Sequence, residues 1–157
     1  MTQETTGVRP LRGTVAEILH HKGHKIFAVG PRETVYDAIA MMDKRHVGAL
    51  LVMDGEALVG MISERDYTRK IALQGRSSKE TLVEEIMTAK VISIAPDLSL
   101  KECLKIVTEK AIRHLPVIDN GKVLGVVSIG DLVFNVLEQQ AETIESLTSF
   151  IGGSYPK

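Results

Sequence analysis

Hydrophobic positions recur along the chain in a fixed order. A short apolar run over 25–29 reads as a strand. Thr34 then opens a segment in which Val35, Ala38, Ile39 and Met42 recur at helical spacing. Two further apolar runs, 48–53 and 57–62, flank Asp54-Gly55, a hairpin signal, and a second helix starts at Ser63. The order then returns. A run at 91–94 precedes Ser99 and the helical stripe Leu100, Cys103, Leu104, Val107. Runs at 115–118 and 123–127 enclose Asp119-Asn120-Gly121, and a final helix starts at Ser128.

The return is an internal repeat. Pro31 and Pro96 lie 65 positions apart, and the same offset superposes Leu50 on Leu115, Val52 on Val117 and Asp54 on Asp119. It also superposes Gly60 on Gly125, Ser63 on Ser128 and Asp66 on Asp131, without a gap. Upstream, Val15-Ala16-Glu17-Ile18 echoes Val83-Glu84-Glu85-Ile86 three residues out of register, which places an insertion near 20–23. The sequence therefore divides into units at 14–73 and 82–140, each strand, helix, strand, strand, helix, with a helical extension over 141–157. This is an α+β pattern. A unit of about 60 residues buries too little surface to be secure alone. Packing sheet to sheet into one body with a pseudo-two-fold axis solves that problem. In the last helix, Leu132, Val133, Val136, Leu137, Ile144, Leu147 and Ile151 carry an apolar stripe beyond the repeat. Such a stripe needs a cover, either the chain's own N-terminal segment or a second copy.

Composition narrows the class. The 157 residues are 44% hydrophobic, which suits a folded globular protein, and carry a formal net charge of -1. A near-neutral balance argues against a binder of nucleic-acid backbone, and 4% aromatic content argues against a base-stacking platform. The sequence has no apolar run of membrane-spanning length and no apolar core in its first thirteen residues, so a membrane span and a secretion signal are not expected. The single cysteine, Cys103, excludes an internal disulfide. A cytoplasmic protein is the expectation.

The candidate chemistry lies at the duplicated corner 60–66 and 125–131. In each copy a strand ends and a helix begins at Ser63 or Ser128, where free backbone amides attract phosphate. Asp66 and Asp131 follow one turn later, and an ionised carboxylate accepts hydrogen bonds from vicinal hydroxyls such as those of a ribose. Gly60 and Gly125 would let a ligand approach the backbone. Against this, Ser-x-x-Asp is also a plain capping box, and Thr34/Asp37 and Ser99/Glu102 use the same device. Recurrence with the glycine intact favours a ligand, as does Arg65, a cation in a first helical turn where an anion would offset it. Arg113 and His114, at a helix-to-strand junction ahead of Pro116, are a second candidate for phosphate, or else solvated basic residues. His20, His21 and His24 read as a surface loop more readily than as metal ligands, because Gly23 interrupts any helix. Cys103 falls on an apolar stripe and reads as packed, and no nucleophile with a base is apparent, so no enzyme is expected.

At these motifs the sequence resembles a tandem cystathionine-β-synthase (CBS) domain pair, closest to stand-alone bacterial proteins made of that pair. The strings at 47–52, 62–67, 85–88, 113–117 and 127–132, in that order, carry the likeness from about residue 14 to 137. The resemblance implies βαββα units, two symmetry-related clefts and a non-enzymatic signalling role. The implied ligands are AMP, ADP, ATP or NAD, with S-adenosylmethionine ranked below them. Asp66 and Asp131 would hold ribose hydroxyls, and Ser63 and Ser128 ribose or phosphate oxygens. Thr34, Val47, Gly48 and Ala49 would line one adenine pocket, and Ser99, Ile112 and Pro116 the other. Arg65, Arg113 and His114 would face phosphates. A homodimer through helices and an unknown regulated protein are the implied partners, with neither nucleic acid nor membrane. The alternative is a structural or protein-interaction module without a ligand.

Overall fold

The computed structural model describes residues 10–150, with side chains through residue 141. The chain runs α1 (Val15–Lys22), β1 (Ala28–Val29), α2 (Val35–Arg45), β2 (Ala49–Asp54), β3 (Ala57–Ser63) and α3 (Glu64–Tyr67), which continues into a π-turn at Thr68–Ala72. The second half runs α4 (Val83–Ile86), α5 (Leu100–Lys110), β4 (His114–Asp119), β5 (Lys122–Ser128) and α6 (Ile129–Phe150). The α+β repeat expected from the pattern is present. Both hairpins pair antiparallel and both carry a bulge at the same point, Val52/Met53 and Val117/Ile118. Both middle helices end on a left-handed residue, His46 at φ 55° and Ala111 at φ 51°.

The two cores do not follow the two sequence units. Helix α1, which leads the first unit, buries Val15, Ile18 and Leu19 among Leu100, Cys103, Leu115 and Val127 of the second. Helix α4, which leads the second, buries Val83 and Ile86 among Val35, Met42, Leu50 and Ile62 of the first. The units have exchanged their leading helices. Matching backbone clamps hold each one. Val15 N donates to Leu98 O at 2.9 Å and Leu100 N to Gly13 O at 3.0 Å; Val83 N donates to Glu33 O at 2.8 Å and Val35 N to Thr81 O at 2.9 Å. Each large aliphatic side chain so buried contributes about 1.5–3 kcal/mol, so separating the units would forfeit five of them.

The expected strand at 91–94 is reduced to one bridge, Ile94 to Val117, whereas Ala28–Val29 pairs parallel with β2. The reason is Pro116. In the first unit, Leu51 N donates to Phe27 O at 3.1 Å. Pro116 stands at the position of Leu51 and has no N–H to give, so the ladder cannot extend past Ile94. The expected strand over 25–29 is likewise shorter, at two residues. His20 and His21 lie in α1 and not in a loop; Gly23, at φ 98°, ends that helix.

In α6, Leu132 is buried and Val136 packs against the second core, but Val133, Phe134 and Leu137 are exposed. The N-terminal segment covers part of the stripe. Leu11 packs on the second core, and Arg12 and Gln139 exchange two hydrogen bonds of 2.9 and 2.8 Å. The side chains of Ile144, Leu147 and Ile151 lie outside the described ones. Of the extension over 141–157, residues through Phe150 belong to α6 and the rest lie outside the described residues.

Candidate functional site

Both capping boxes form. Ser63 N and Ser63 Oγ donate to Asp66 Oδ2 at 3.0 and 3.1 Å, and Asp66 N donates to Ser63 Oγ at 3.2 Å. In the second unit, Ser128 N donates to Asp131 Oδ2 at 2.8 Å and Asp131 N to Ser128 Oγ at 3.2 Å. A lysine then reaches each carboxylate from a different place. Lys70 Nζ, one turn along the same helix, lies 3.0 Å from Asp66 Oδ1. Lys22, the last residue of the exchanged helix α1, pairs with Asp131 Oδ2 and donates to Val126 O at 2.7 Å. Asp131 Oδ1 has no hydrogen bond among the described residues. Thr34 and Ser99 act as caps too, accepting from Asp37 N at 3.2 Å and Glu102 N at 3.1 Å.

The glycines of the motif do not open the backbone to a ligand, contrary to expectation. A Cβ on Gly60 would meet Met87 Sδ at 2.6 Å and Thr88 O at 2.9 Å, and one on Gly125 would meet Leu19 Cδ2 at 2.9 Å. Leu19 and Met87 occupy equivalent places at the exchanged helices. The glycines make room for protein.

Between the sheets lies a cavity of about 290 Å³. Ala49 and Met61 border it from the first unit and their repeat equivalents His114 and Val126 from the second, so it spans the pseudo-two-fold axis. Phe27, Leu51 and Met61 give it an apolar wall; Lys22, Lys25, His46 and His114 give it cationic or titratable nitrogen, and no carboxylate lines it. Lys25 Nζ also lies 5.8 Å from the Phe27 ring centroid, with Arg45 at 5.3 Å. Burial, with Lys22 and Arg113, holds His114 below the ordinary histidine range against the pull of Asp131.

Of the sequence candidates, Val47, Gly48, Ala49, His114 and Ser128 come together in this lining. Asp131 adjoins it through Lys22. Thr34, Ser63, Arg65, Asp66, Ser99, Arg113 and Pro116 do not line it, and Ile112 packs against the second core. Arg65 is exposed and makes no ion pair among the described residues. Sequence reasoning missed Lys22, Lys25, Phe27, His46, Leu51, Met61 and Val126. Strand alternation gives a usable signal for Met61 and Val126, which face away from their own cores between buried neighbours. A second cavity, about 330 Å³, lies between α1 and α6, lined by Glu17 and Glu138 as well as Arg12 and His21. No group of residues able to hold a metal ion occurs among the described residues.

Comparison with known proteins agrees with this architecture. The CBS-domain model matches residues 15–73 and 83–138. The chain belongs to the CBS-domain family and is a tandem pair. It is 44% identical over 128 residues to the Arabidopsis thaliana protein CBSX3, mitochondrial, covering 78% of this chain and 62% of that one, less than two thirds of its length. It is 31% identical over 117 residues to YhcV of Bacillus subtilis, covering 74% and 83% of the two. A solved protein with CBS domains from Burkholderia ambifaria, described as a candidate signal-transduction protein, is 51% identical with a TM-score of 0.79, covering 82% of this chain and 96% of that one. The CBS pair of protein MJ0100, solved with 5'-methylthioadenosine and S-adenosylmethionine, shares the fold at 22% identity and a TM-score of 0.71, covering 83% and 99%.

Proposed function

We propose that the chain is a non-enzymatic regulatory module that binds an adenine nucleotide between its two repeats. The cavity on the pseudo-two-fold axis carries this reading. Its volume is near the lower end of ligand pockets, roughly 300 Å³. One wall is apolar enough for a base, and the other carries nitrogen donors, with Asp131 paired to Lys22 and Glu64 near Gly48 at its margin. Ser128 lies in it, and the Lys22–Asp131 pair adjoins it. The adenosine compounds bound by MJ0100 support the ligand class, and the description of the Burkholderia relative supports a signalling role. AMP, ADP, ATP and NAD are the preferred ligands, ahead of S-adenosylmethionine. Binding at an axis crossed by the exchanged helices shifts their packing in proportion to the ligand's differential affinity for the two arrangements, and a regulated protein reads the shift. The resemblance assigns Asp66, Asp131, Ser63 and Ser128 to ribose or phosphate, Thr34 to one adenine pocket, Ser99, Ile112 and Pro116 to the other, and Arg65 and Arg113 to phosphate; of these Ser128 lines the cavity.

The exposed Val133, Phe134 and Leu137 on α6 support a homodimer. No described helix is long and apolar enough to cross a membrane; a cytoplasmic location is part of the same proposal. A second reading, an interaction module without ligand, draws on the capping boxes, both of which form.

Thermal melting with AMP, ADP, ATP, NAD and S-adenosylmethionine separates the two. A ligand at about 100 times its Kd adds about 2.7 kcal/mol and raises Tm. A Tm that no compound moves leaves the interaction module.

A further inference from the structure

The exchanged helices differ in length. Val15, Ile18 and Leu19 of α1 match Val83, Ile86 and Met87, and α4 stops there; α1 continues through His20, His21 and Lys22, a turn that its counterpart lacks. These three residues are exposed, whereas Val15, Ile18 and Leu19 are buried, so the added turn is tied to the second unit through Lys22. Lys22 lines the axial cavity, and its ammonium bridges two elements of that unit, pairing with Asp131 of α6 and donating to Val126 O of β5 at 2.7 Å. Gly23 follows at φ 98° and ends the helix. At the first corner, no side chain of α4 pairs with Asp66 among the described residues. Lys70 does so from the π-turn of Asp66's own helix, and it meets α4 only at the carbonyl of Ile86, at 2.7 Å.

Resting on the nucleotide reading above, we propose that Lys22 is a latch: a ribose held by both oxygens of Asp131 displaces its ammonium and frees the last turn of α1. The carboxylate as it stands has room for one hydroxyl. Asp131 Oδ1 accepts no hydrogen bond among the described residues, whereas Oδ2 already accepts from Ser128 N at 2.8 Å and from Lys22. Two vicinal hydroxyls need both oxygens. The Ser128 amide is fixed by the capping box at the start of α6, so the ammonium is the donor that yields. It yields readily because both partners are partly exposed, and such pairs are weak. The buried part of α1 stays in place while the exposed turn loosens, which carries the binding event from the cavity to the surface. The Asp66 corner lacks the added turn and sends no such signal through α4.

Hydrogen exchange and titration calorimetry with AMP test the latch on the full chain. In the wild type, AMP speeds exchange of the amides of residues 20–23 by about two- to fivefold, the equivalent of one exposed ion pair, and leaves those of residues 15–19 unchanged. In K22M the amides of 20–23 exchange fast with or without AMP, and AMP binds tighter than to the wild type by the same factor, because no latch has to open. In K70M the response of 20–23 persists. A Lys22 that instead held the ligand would give the opposite sign, weaker AMP binding in K22M. Weaker or unchanged affinity in K22M, a wild-type turn that AMP slows or leaves as it was, or a response that K70M abolishes overturns the latch while leaving the nucleotide site standing. Failure of AMP, ADP, ATP and NAD alike to bind overturns the site and this inference with it.

Discussion

Leu19 seats its Cδ2 2.9 Å from the point where a Cβ on Gly125 would stand, and Met87 holds the equivalent place over Gly60. These two contacts join the exchanged helices to the opposite sheets. They also explain why glycine recurs there: a methyl group on either strand would collide with the incoming chain.

The two collisions differ in kind. At Gly125 the obstacle is the flexible end of Leu19; at Gly60 it includes the backbone carbonyl of Thr88, at 2.9 Å, beside Met87. Gly60→Ala therefore costs more stability than Gly125→Ala, with overpacking of this sort worth about 1–3 kcal/mol. Urea denaturation of the two variants checks the order; equal midpoints, or a less stable Gly125→Ala, would show that the helices yield freely.

Truncating Leu19 tests the exchange itself. The side chain is 1% exposed, and Leu19→Ala leaves a cavity costing about 2–5 kcal/mol. Leu19 precedes the first unit's strands but packs in the second unit's core, so the second unit loses stability directly. Because each core holds a helix from the other unit, wild type and variant both unfold in one transition. Hydrogen exchange in which β2 and β3 weaken while β4 and β5 keep their protection would contradict the exchange.

Cys103 is fully buried, and desolvation raises its thiol to about 11. At pH 8 about one thiol in a thousand is thiolate, and that one is shielded. A disulfide reagent is expected to leave the native chain unmodified over minutes and to label it at once in denaturant. Rapid labelling of the native state would reopen a nucleophilic role.

His114 links fold stability to pH. Its folded-state pKa is lowered, first by burial and then by Lys22, so below 6.5 the unfolded chain binds more protons than the folded one. The contribution is complete above 6.5 and is lost as pH falls through the folded value. Urea midpoints at pH 7.5 and 5.5 should fall further for the wild type than for His114→Gln. Equal losses would place the acid sensitivity in other groups.

The repeat was legible because its hairpin turns, caps and apolar stripes are local. Ser63/Asp66 and Ser128/Asp131 stand at helix starts as their spacing implies. The exchange of α1 and α4 was not legible, since a leading helix with buried Val15 and Ile18 reads the same whichever core receives it. That hidden step set two errors in motion. Gly60 and Gly125 carried a ligand's meaning when their neighbours are Met87 and Leu19. Lys22 went unnoticed, although the exchange brings it to Asp131, 109 positions away. The missing strand was inferable: Pro116 in the place of Leu51 removes the one N–H that the ladder needs.

The most direct measurement is calorimetric titration of AMP into the wild-type chain, Asp66→Ala and Asp131→Ala, with the stability of each variant measured alongside. Losing a cap costs the fold about 1 kcal/mol. If the carboxylates also hold ribose, the wild type binds, and each variant loses at least about tenfold in affinity, a further 1.4 kcal/mol, while remaining folded. Unchanged affinity in both variants, or no heat of binding from the wild type, would leave the two aspartates as helix caps and nothing more.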